Sequence, residues 1–485
     1  MNESGVRFGT SGARGLVTAM TDQVCYAYVS GFLQMLQQRG DIQMHSRVAI
    51  GGDLRSSTPR IMTAAALATS DLGYQVINAG FVPAPALALF GLEEKIPTLM
   101  VTGSHIPDDR NGIKFNKPTG EILKADESAM LAQSIRLPDR FDNVGGLLPG
   151  LKLELPSPNT QVTTNYVRRW IDAVRPTALA GKRIVVYGHS AVGRDLLVDV
   201  YEALGAHVIK ECWSQNFVPV DTEAIRPADV QLAAKLAKDH QPFAIVSTDG
   251  DADRPLISDE NGLWLRGDVI GVIAAQWLGA EVVVTPVSSS TVVERVGIFR
   301  NVMRTKIGSP YVIGAMQQAV AQGYRSVVGY EANGGFLTAT SVTVPGGATL
   351  TPLPTRDPII VQLGVLLSAA EAGVAVSEIM DRLPSRFTAS DRLENFPTST
   401  SQQHLAELIQ GGPVAIEVIL HDLIGNVAQV DTTDGLRVTG QTGDIVHLRS
   451  SGNAPELRCY AEADSSDRAQ ELAEQVLSRC KSWRN

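Results

Sequence analysis

The chain has 485 residues, with 44% hydrophobic and 19% charged residues, which is ordinary for a globular protein of several domains. Its net charge of −9 argues against a nucleic-acid partner, and the lack of an apolar run of about 18 residues or of an N-terminal signal core argues against a membrane partner and secretion. The cysteines lack metal-site spacing and are expected to be reduced thiols of a cytoplasmic protein: Cys25, Cys212, Cys459 and Cys480.

Alternating strands and helices are predicted over most of the chain, and the pattern restarts twice. The predicted elements are, in chain order, a strand at 47–53, a helix at 58–72, strands at 75–79 and 96–101, a strand at 183–188, a helix at 193–204, strands at 206–209 and 243–246, a helix at 270–278 and a strand at 281–285. The Pro-rich cluster at 156–159 is a candidate linker.

The last part of the chain has a different pattern. Antiparallel strands are predicted at 414–419, 435–438 and 445–449, followed by an amphipathic helix at 468–481. We therefore expect an α/β fold of three similar α/β domains with mixed sheets, followed by a C-terminal α+β domain. The expected domains are 1–155, 156–258, 259–372 and 373–485.

Ser104 lies in the segment TGSHIP at 102–107, directly after the apolar run 96–101. A turn after that strand places Ser104 at the carboxyl end of the sheet, where open α/β sheets bind ligands. Taken alone, such a serine is more typical of a structural turn. Because a serine hydroxyl is a poor nucleophile at neutral pH, a catalytic Ser104 must be activated or already phosphorylated.

Three aspartates at alternate positions follow another apolar run, at 243–246: Asp249, Asp251 and Asp253. Their carboxylates cannot lie close together unless a cation neutralises them, and the small residues between them allow a tight turn that points all three at one ion. Such oxygen ligands suit Mg²⁺. The alternative is a solvated acidic turn.

A third segment, RSSGNAP at 449–455, combines an arginine, two hydroxyls and a glycine loop. These groups are suited to holding a phosphate dianion. The alternative is a plain turn between a strand and a helix.

Five segments, in this order, resemble the α-D-phosphohexomutase superfamily, which includes phosphomannomutase, phosphoglucomutase and phosphoglucosamine mutase. They are FGTSGARG at 8–15, the Ser104 loop, the Asp249 loop, GYEANGGF at 329–336 and the Arg449 loop. The resemblance implies four domains around one central cleft. It also implies that Ser104 is phosphorylated in the resting enzyme, donates its phosphoryl group to a sugar monophosphate, and regains one from the other end of the resulting bisphosphate.

The resemblance also implies the roles of the residues around the serine. A phosphate oxygen on Ser104 joins the three aspartates as a Mg²⁺ ligand, and Arg14 and Arg254 pair with the phosphate. His105 and Lys114 are candidates for proton transfer or charge stabilisation, and desolvation near other cations is expected to lower the pKa of Lys114. The alternatives are a structural hydrogen bond for His105 and a surface hairpin position for Lys114.

Glu331 and Asn333 are expected to read the sugar hydroxyls, because a carboxylate and an amide accept and donate hydrogen bonds at fixed geometry. Many family members have Glu-Met-Ser-Gly-His or Glu-Ala-Ser-Gly-His at this loop, whereas this chain has asparagine for serine and Gly335 for histidine. Gly308 and Ser309, also expected near the sugar, stand where some mannose and glucose enzymes have Gly-His.

The distal phosphate is expected to be held by a set from the last of the five segments: Arg449, Ser451, Gly452 and Asn453. Asn453 stands where threonine is usual in the family, so that an amide replaces a hydroxyl and still offers a hydrogen-bond donor to phosphate.

The expected function is that of an isomerase that interconverts hexose 6-phosphate and hexose 1-phosphate. Phosphomannomutase is favoured, with phosphoglucomutase or dual specificity next; phosphoglucosamine mutase is favoured less because its sugar loop usually keeps Ser-Gly-His. The alternative of another class is a non-catalytic sugar-phosphate-binding protein, which would be expected to lack Ser104 or an aspartate. The expected cofactors are Mg²⁺ and a hexose 1,6-bisphosphate activator, the partner is a small-molecule sugar phosphate, and the expected state is a monomer or homodimer.

Overall fold

The computed structural model describes residues 1, 4–9, 12–150, 154–451 and 455–484. Within these ranges the strands form five sheets, three of them mixed. They build three α/β domains and a C-terminal α+β domain, so the fold class expected from the sequence is confirmed.

The first domain is a seven-stranded mixed sheet packed against helices. Its elements are β1 Arg7–Phe8, β2 Ala13–Leu16, α1 Asp22–Arg39, β3 Arg47–Gly52, α2 Thr58–Asp71, β4 Gln75–Phe81, α3 Ala84–Glu94, β5 Thr98–Val101, β6 Arg110–Lys117, β7 Gly120–Glu121 and α4 Lys124–Leu131. The strand order is β1-β2-β6-β5-β3-β4, with β7 paired to β6. α1 begins after Thr21, whose side chain accepts a hydrogen bond from the Val24 amide and satisfies one of the free donors of the first turn.

The second and third domains each contain a four-stranded mixed sheet. The second has α5 Gln161–Ile171, β8 Arg183–His189, α6 Arg194–Ala203, β9 His207–Trp213, α7 Pro227–His240, β10 Ala244–Thr248 and β11 Pro255–Ile257. The third has α8 Gly267–Trp277, β12 Val282–Pro286, α9 Val292–Arg295, β13 Asn301–Thr305, α10 Ser309–Ala321, β14 Val327–Tyr330, β15 Phe336–Thr338, the small pair β16 Val342–Thr343 and β17 Thr349–Leu350, and α11 Pro358–Ala372.

One arrangement of four strands recurs in the three α/β domains, and it determines where the loops of interest lie. In each, the first strand pairs in parallel with the second and third, and the third continues through a loop into an antiparallel fourth. The loops that follow the third strands β5, β10 and β14 contain Ser104, Asp249 and Glu331. The three loops therefore occupy equivalent positions at the carboxyl ends of their sheets, the usual ligand side of such folds.

The fourth domain has an antiparallel sheet of five strands and two long helices. After α12 Val376–Met380, its elements are β18 Phe387–Leu393, α13 Thr398–Ile424, β19 Val427–Asp431, β20 Leu436–Gly440, β21 Ile445–Ser450, β22 Leu457–Ala463 and α14 Ser466–Cys480. The strand order is β18-β22-β21-β20-β19, so the strands predicted at 435–438 and 445–449 pair as expected.

The strand predicted at 414–419 is wrong, because this segment lies in α13. The helix is interrupted at Gly412, where φ is 65°, and continues from Pro413. Ile416, Leu420 and Leu423 are buried at helical spacing, whereas Val414 and Val418 are 76% and 83% exposed. A short apolar run does not distinguish a strand from a helix, and here the apolar residues four and seven positions apart pack onto the core.

One large hydrophobic cluster spans the first three domains, which also contain separate smaller clusters, and the fourth domain has its own. Among the described residues, no helix combines the length and apolarity needed to cross a bilayer. Three of the unpaired cysteines are buried and Cys212 is exposed.

Candidate active site

Ser104 lies between β5 and β6 in a left-handed backbone conformation, with φ at 57°. Few non-glycine residues adopt this conformation without compensating contacts. Its amide donates to Oγ1 of Thr102 at 2.7 Å, and its hydroxyl donates to Oδ2 of Asp249 at 2.5 Å. The structure thus brings the predicted serine directly against the predicted aspartate loop of the second domain.

Arg55 holds the serine loop in place, although its sequence context did not identify it. Its guanidinium donates to four backbone carbonyls of the loop and the start of β6: Ser104 at 2.8 Å, Ile106 at 2.6 Å, Pro107 at 2.7 Å and Arg110 at 3.1 Å. Its Nε donates to Asp53 at 3.1 Å, and both of these side chains are fully buried. The available signal was an Asp-Leu-Arg segment directly after the buried strand β3, which runs parallel to β5 and therefore ends on the same side of the sheet as the Ser104 loop.

The aspartate loop turns tightly between β10 and β11. Oδ1 of Asp249 accepts from the amides of Asp253 and Arg254, each at 3.1 Å, which closes the turn. A side chain at Gly250 would place Cβ 2.8 Å from the carbonyl oxygen of Ser104. Glycine therefore lets the loops of the first and second domains touch.

The three aspartates fit a divalent cation. They are buried, and one ligand oxygen from each lies within 4.8 Å of the others. Oδ1 of Asp251 and Oδ1 of Asp253 are buried without a hydrogen-bond partner. Burial, and then the carboxylates of Asp251 and Asp253, raise the pKa of Asp249 well above its ordinary value. A hard cation would supply the missing positive charge, and carboxylate oxygens suit Mg²⁺.

Lys114, on β6, is bound to the same carboxylates. Its Nζ donates to Asp251 at 2.6 Å and makes a short hydrogen bond to Asp253. Burial alone would lower the pKa of Lys114, but the two carboxylates outweigh burial and raise it. The expectation of a lowered pKa is wrong, because the nearest charged groups are anions. Its ammonium is placed to stabilise negative charge beside the aspartates.

His105 lies between the serine and two charged groups. Its Nδ1 is 3.0 Å from Nη1 of Arg254 and 3.3 Å from Oγ of Ser104, and its Nε2 is 3.9 Å from Oδ2 of Asp221. Burial and the Arg254 charge lower the pKa of His105 to about 3. The imidazole is therefore neutral beside the serine, and Asp221 is a neighbour that the sequence did not reveal.

Arg14 adds a second guanidinium to this cluster. It lies on β2, opposite Gly112 of β6, and is half-buried. Burial and the charge of Arg254 lower the pKa of Arg14 to about 10. Two arginines that repel each other inside a protein are the arrangement expected where an anion such as phosphate binds between them.

The sugar loop reaches the metal loop through an arginine. Nε of Arg356 donates to Oε2 of Glu331 at 2.6 Å, and its Nη1 is 3.4 Å from Oδ2 of Asp253. Asn333 supports the loop itself: its Oδ1 accepts from the amide of Gly335 at 2.9 Å. The structure thus places Glu331 beside the serine and aspartate cluster, and Arg356 is a further residue that no motif indicated.

Gly308 and Ser309 lie at the start of α10, where Gly308 has a φ of 128°. The hydroxyl of Ser309 is buried and donates to Oε2 of Glu121 at 3.1 Å. Glu121 belongs to β7, so this contact joins the third domain to the first. Oε1 of Glu121 also accepts from Thr355, at 2.6 Å.

The predicted phosphate clamp lies at the end of β21 in the fourth domain. Nε of Arg449 is 2.9 Å from Oδ2 of Asp434, which also accepts from the amide of Ile307 in the third domain at 3.0 Å. Ser451 is buried, and its amide donates to the carbonyl of Glu456. Within the described ranges, no hydrogen bond or ion pair joins Arg449 to the Ser104 cluster. The remaining two predicted residues, Gly452 and Asn453, lie outside the described residues.

Comparisons with known proteins cover nearly all of the chain. Four models of the phosphoglucomutase/phosphomannomutase family match: α/β/α domain I at residues 5–139, domain II at 164–262, domain III at 266–387 and the C-terminal domain at 402–479. A phosphomannomutase of Salmonella muenchen is 42% identical over 99% of this chain and 97% of its own. A phosphomannomutase of Sinorhizobium fredii is 42% identical over 98% of both chains.

Solved structures share the fold at lower identity. A phosphoglucomutase/phosphomannomutase family protein from Burkholderia thailandensis aligns over 98% of this chain and 97% of its own, with a TM-score of 0.73 and 18% identity. The four domain matches and the full-length relatives agree with the five motifs and with the contacts among their loops. The chain belongs to the phosphoglucomutase/phosphomannomutase family.

Proposed function

We propose that this protein is a phosphohexomutase that interconverts hexose 6-phosphate and hexose 1-phosphate through a phosphoserine at Ser104. One observation carries the proposal: the Ser104 hydroxyl lies 2.5 Å from Asp249, inside a buried cluster of three carboxylates. Cationic side chains contact the same carboxylates, since Nε of Arg254 lies 4.0 Å from Oδ2 of Asp249 and Lys114 donates to Asp251 at 2.6 Å. Glu331, a carboxylate suited to a sugar, is joined to the cluster through Arg356. A binding protein without catalysis needs no such buried nucleophile.

Mannose phosphate is the proposed substrate, because the two full-length relatives at 42% identity are phosphomannomutases. Glucose phosphate is the second candidate. The sugar loop does not decide between these two sugars, because Asn333 and Gly335 stand where the family commonly has serine and histidine. Glucosamine phosphate is favoured less, as its enzymes usually keep those two residues.

In the first half-reaction, phosphorylated Ser104 transfers its phosphoryl group to the free hydroxyl of the sugar phosphate. The bond from phosphorus to the sugar oxygen forms and the bond to Oγ breaks, with its electron pair remaining on Oγ. The sugar hydroxyl loses a proton and Oγ gains one, so the products are a hexose 1,6-bisphosphate and free Ser104. His105 is placed to orient Arg254 beside Oγ rather than to carry that proton, because its Nδ1 accepts from Nη1 of Arg254 at 3.0 Å and its pKa is lowered to about 3.

Charge on the moving phosphoryl group is met by fixed cations of this chain. Arg14 and Arg254 are placed to hold the phosphoryl oxygens, and Lys114 contributes a third positive charge beside the aspartates. Mg²⁺, held by Asp249, Asp251 and Asp253, would add a Lewis acid for a phosphate oxygen.

In the second half-reaction the bisphosphate presents its other phosphate to Ser104. The non-reacting phosphate must then be held at a distance, and we assign this task to Arg449 and Ser451, together with Gly452 and Asn453. An unphosphorylated Ser104 cannot begin the cycle, so a hexose 1,6-bisphosphate should act as activator. We further propose the domain limits 1–155, 156–258, 259–372 and 373–485, and a monomer or homodimer, since the cluster is built from one chain.

The test combines the chemistry of Ser104 with the choice of sugar. Purified protein incubated with glucose 1,6-bisphosphate should gain the mass of one phosphate on the peptide containing Ser104. It should then convert mannose 1-phosphate faster than glucose 1-phosphate, and glucosamine 1-phosphate slowest.

Ser104→Ala should take up no phosphate and retain under about one per cent of the activity, because loss of a nucleophile normally costs orders of magnitude. Ser128→Ala is the matched control: the hydroxyl of this exposed serine of the same domain bonds to the carbonyl of Lys124 within α4, at 3.3 Å, and the variant should behave as the parent. Substantial turnover by Ser104→Ala would rule out the phosphoserine route. A parent protein that binds hexose phosphates without turnover would instead be a binding protein.

A further inference from the structure

Gly335 and Arg356 occupy the same small volume beside the sugar loop. A Cβ built at Gly335 would lie 2.3 Å from Cδ and 2.8 Å from Cγ of Arg356, far inside normal contact distance. Any side chain at position 335 would therefore displace the arginine. The glycine that departs from the family's common loop sequence is what allows Arg356 to lie there.

The Arg356 guanidinium is bound on two sides. Nε donates to Oε2 of Glu331 at 2.6 Å, and Nη1 faces Oδ2 of Asp253 at 3.4 Å. Both carboxylates and the arginine are about 95% or more buried. Among the described residues, no other side chain donates a hydrogen bond to Glu331. Arg356 therefore fixes Oε2, and Oε1 accepts no hydrogen bond from these residues.

The backbone that carries Arg356 is anchored by three domains. Asp357 caps α11 by accepting from the amide of Ile359 at 3.1 Å and accepts from the hydroxyl of Tyr166 of the second domain at 2.7 Å. On the other side, Thr355 donates to Glu121 of the first domain at 2.6 Å. A side chain on such a support can fix its partner's orientation, as a site needs for discriminating between similar ligands.

We propose that Arg356 is a positioning residue for sugar recognition: it fixes one oxygen of Glu331, so that Oε1 is presented to the hexose hydroxyls, and ties that carboxylate to the metal loop at Asp253. The inference rests on the proposed function and extends it by naming what orients the sugar-reading carboxylate. A planar guanidinium is required, because a lysine cannot contact both carboxylates with the same fork. Discrimination between mannose and glucose phosphates therefore depends on Arg356 acting through Glu331.

The test is a double-mutant cycle of Arg356→Gln and Glu331→Gln, measured as kcat and KM for mannose 1-phosphate and glucose 1-phosphate. Arg356→Gln should raise KM at least tenfold for the preferred sugar, lower kcat less, and change the ratio of kcat/KM for the two sugars by threefold or more. In the Glu331→Gln background, the same change should cost less than threefold, since residues that act as one unit are not additive. Arg356→Lys should recover only part of the loss.

Two further variants separate positioning from general damage. Gly335→Ala should reproduce the Arg356→Gln defect. Added to Arg356→Ala, which removes the clashing atoms, Gly335→Ala should change KM and the sugar ratio little beyond the effect of Arg356→Ala alone. Arg300→Gln is the matched control: this arginine of the same domain pairs with Glu281 at 2.6 Å but is 71% exposed, and its loss should change neither KM nor the sugar ratio. At saturating glucose 1,6-bisphosphate, all variants that retain Ser104 should reach the same final phosphate content on Ser104 as the parent.

Fully additive effects of the Arg356 and Glu331 substitutions, or an equal loss for both sugars, would overturn the inference. The same cycle measured as Kd by calorimetry, in the Ser104→Ala background, distinguishes it from failure of the mutase proposal. A parent that binds hexose phosphates without turnover refutes the mutase alone, and the Kd cycle still decides the role of Arg356. A parent that neither binds nor converts them refutes both.

Discussion

Replacing Arg55 by methionine should destabilise the first domain far more than any surface charge does. Arg55 and Asp53 are both fully buried and 3.1 Å apart. Removing one partner of a buried ion pair leaves an uncompensated charge and costs about 3–5 kcal/mol. The four loop carbonyls also lose their donor, so the cost lies at the upper end of that range.

The assay is hydrogen exchange of peptides covering β3 and β5, which reports the free energy of the opening that exposes these two strands. Arg47→Met is the matched control in the same domain. The Arg47 pair with Glu94 has a distance of 2.8 Å, but its side chains are 46% and 38% exposed, and its loss should cost about 0–1 kcal/mol.

The same substitution should lower kcat at least tenfold, because Arg55 supports the carbonyl of Ser104 and thereby the position of its hydroxyl. In an Asp53→Asn background, Arg55→Met should cost less than in the parent, since the unpaired carboxylate is gone. If Arg55→Met costs no more than Arg47→Met, the buried network does not hold the serine loop and this reasoning fails.

Three further outcomes are expected. Asp251→Asn should raise the Mg²⁺ concentration for half-maximal activity at least tenfold, because a hard cation loses a negative ligand; a parent enzyme indifferent to EDTA would contradict the metal assignment. Burial raises the pKa of Asp357 from 3.8 to about 6. Between these pH values the folded state keeps a proton that the unfolded state has lost. The resulting stabilisation is complete below pH 3.8 and is lost as the pH rises through 6. Asp357→Asn should therefore gain up to about 3 kcal/mol relative to the parent between pH 4 and pH 7, measured by urea unfolding; a constant difference would refute it. Arg449→Ala should raise KM for both the 1- and 6-phosphate about tenfold or more, if the lost contact is worth about 1.5–3 kcal/mol, and release more free bisphosphate. An effect on one substrate only would exclude a shared clamp.

The motifs identified the chemistry because that chemistry needs particular residue types at short spacing. Asp249, Asp251 and Asp253 lie within one turn, so their proximity follows from local geometry and could be predicted. Ser104 could be placed at the carboxyl end of a strand for the same reason. Helices and strands were predicted well where apolar periodicity was long. The short apolar run at 414–419 was predicted as a strand because a run of this length fits a strand or a helix equally well. Which of its residues are buried depends on the elements that pack against it.

The electrostatics of the site could not be predicted locally. Lys114 was expected near cations, but pairing of β6 with β5 and β2 directs its ammonium at two aspartates from the second domain. The direction of its pKa shift therefore depends on a contact between residues 137 positions apart. The roles of Arg55 and Arg356 were missed for the same reason, since neither lies in a recognisable motif.

The amino-acid sequence by itself determined the order of elements, the family and the candidate chemical groups, because these depend on residue type and on neighbours within a few positions. Only the tertiary structure decided which charged groups contact each other, which loop carbonyls Arg55 binds and why position 335 has no room for a side chain. Coulombic interactions, burial and steric exclusion depend on distances across domain boundaries. Arg356 shows this clearly. Its partners Glu331 and Asp253 come from two domains, and it fits beside the sugar loop only because Gly335 has no side chain.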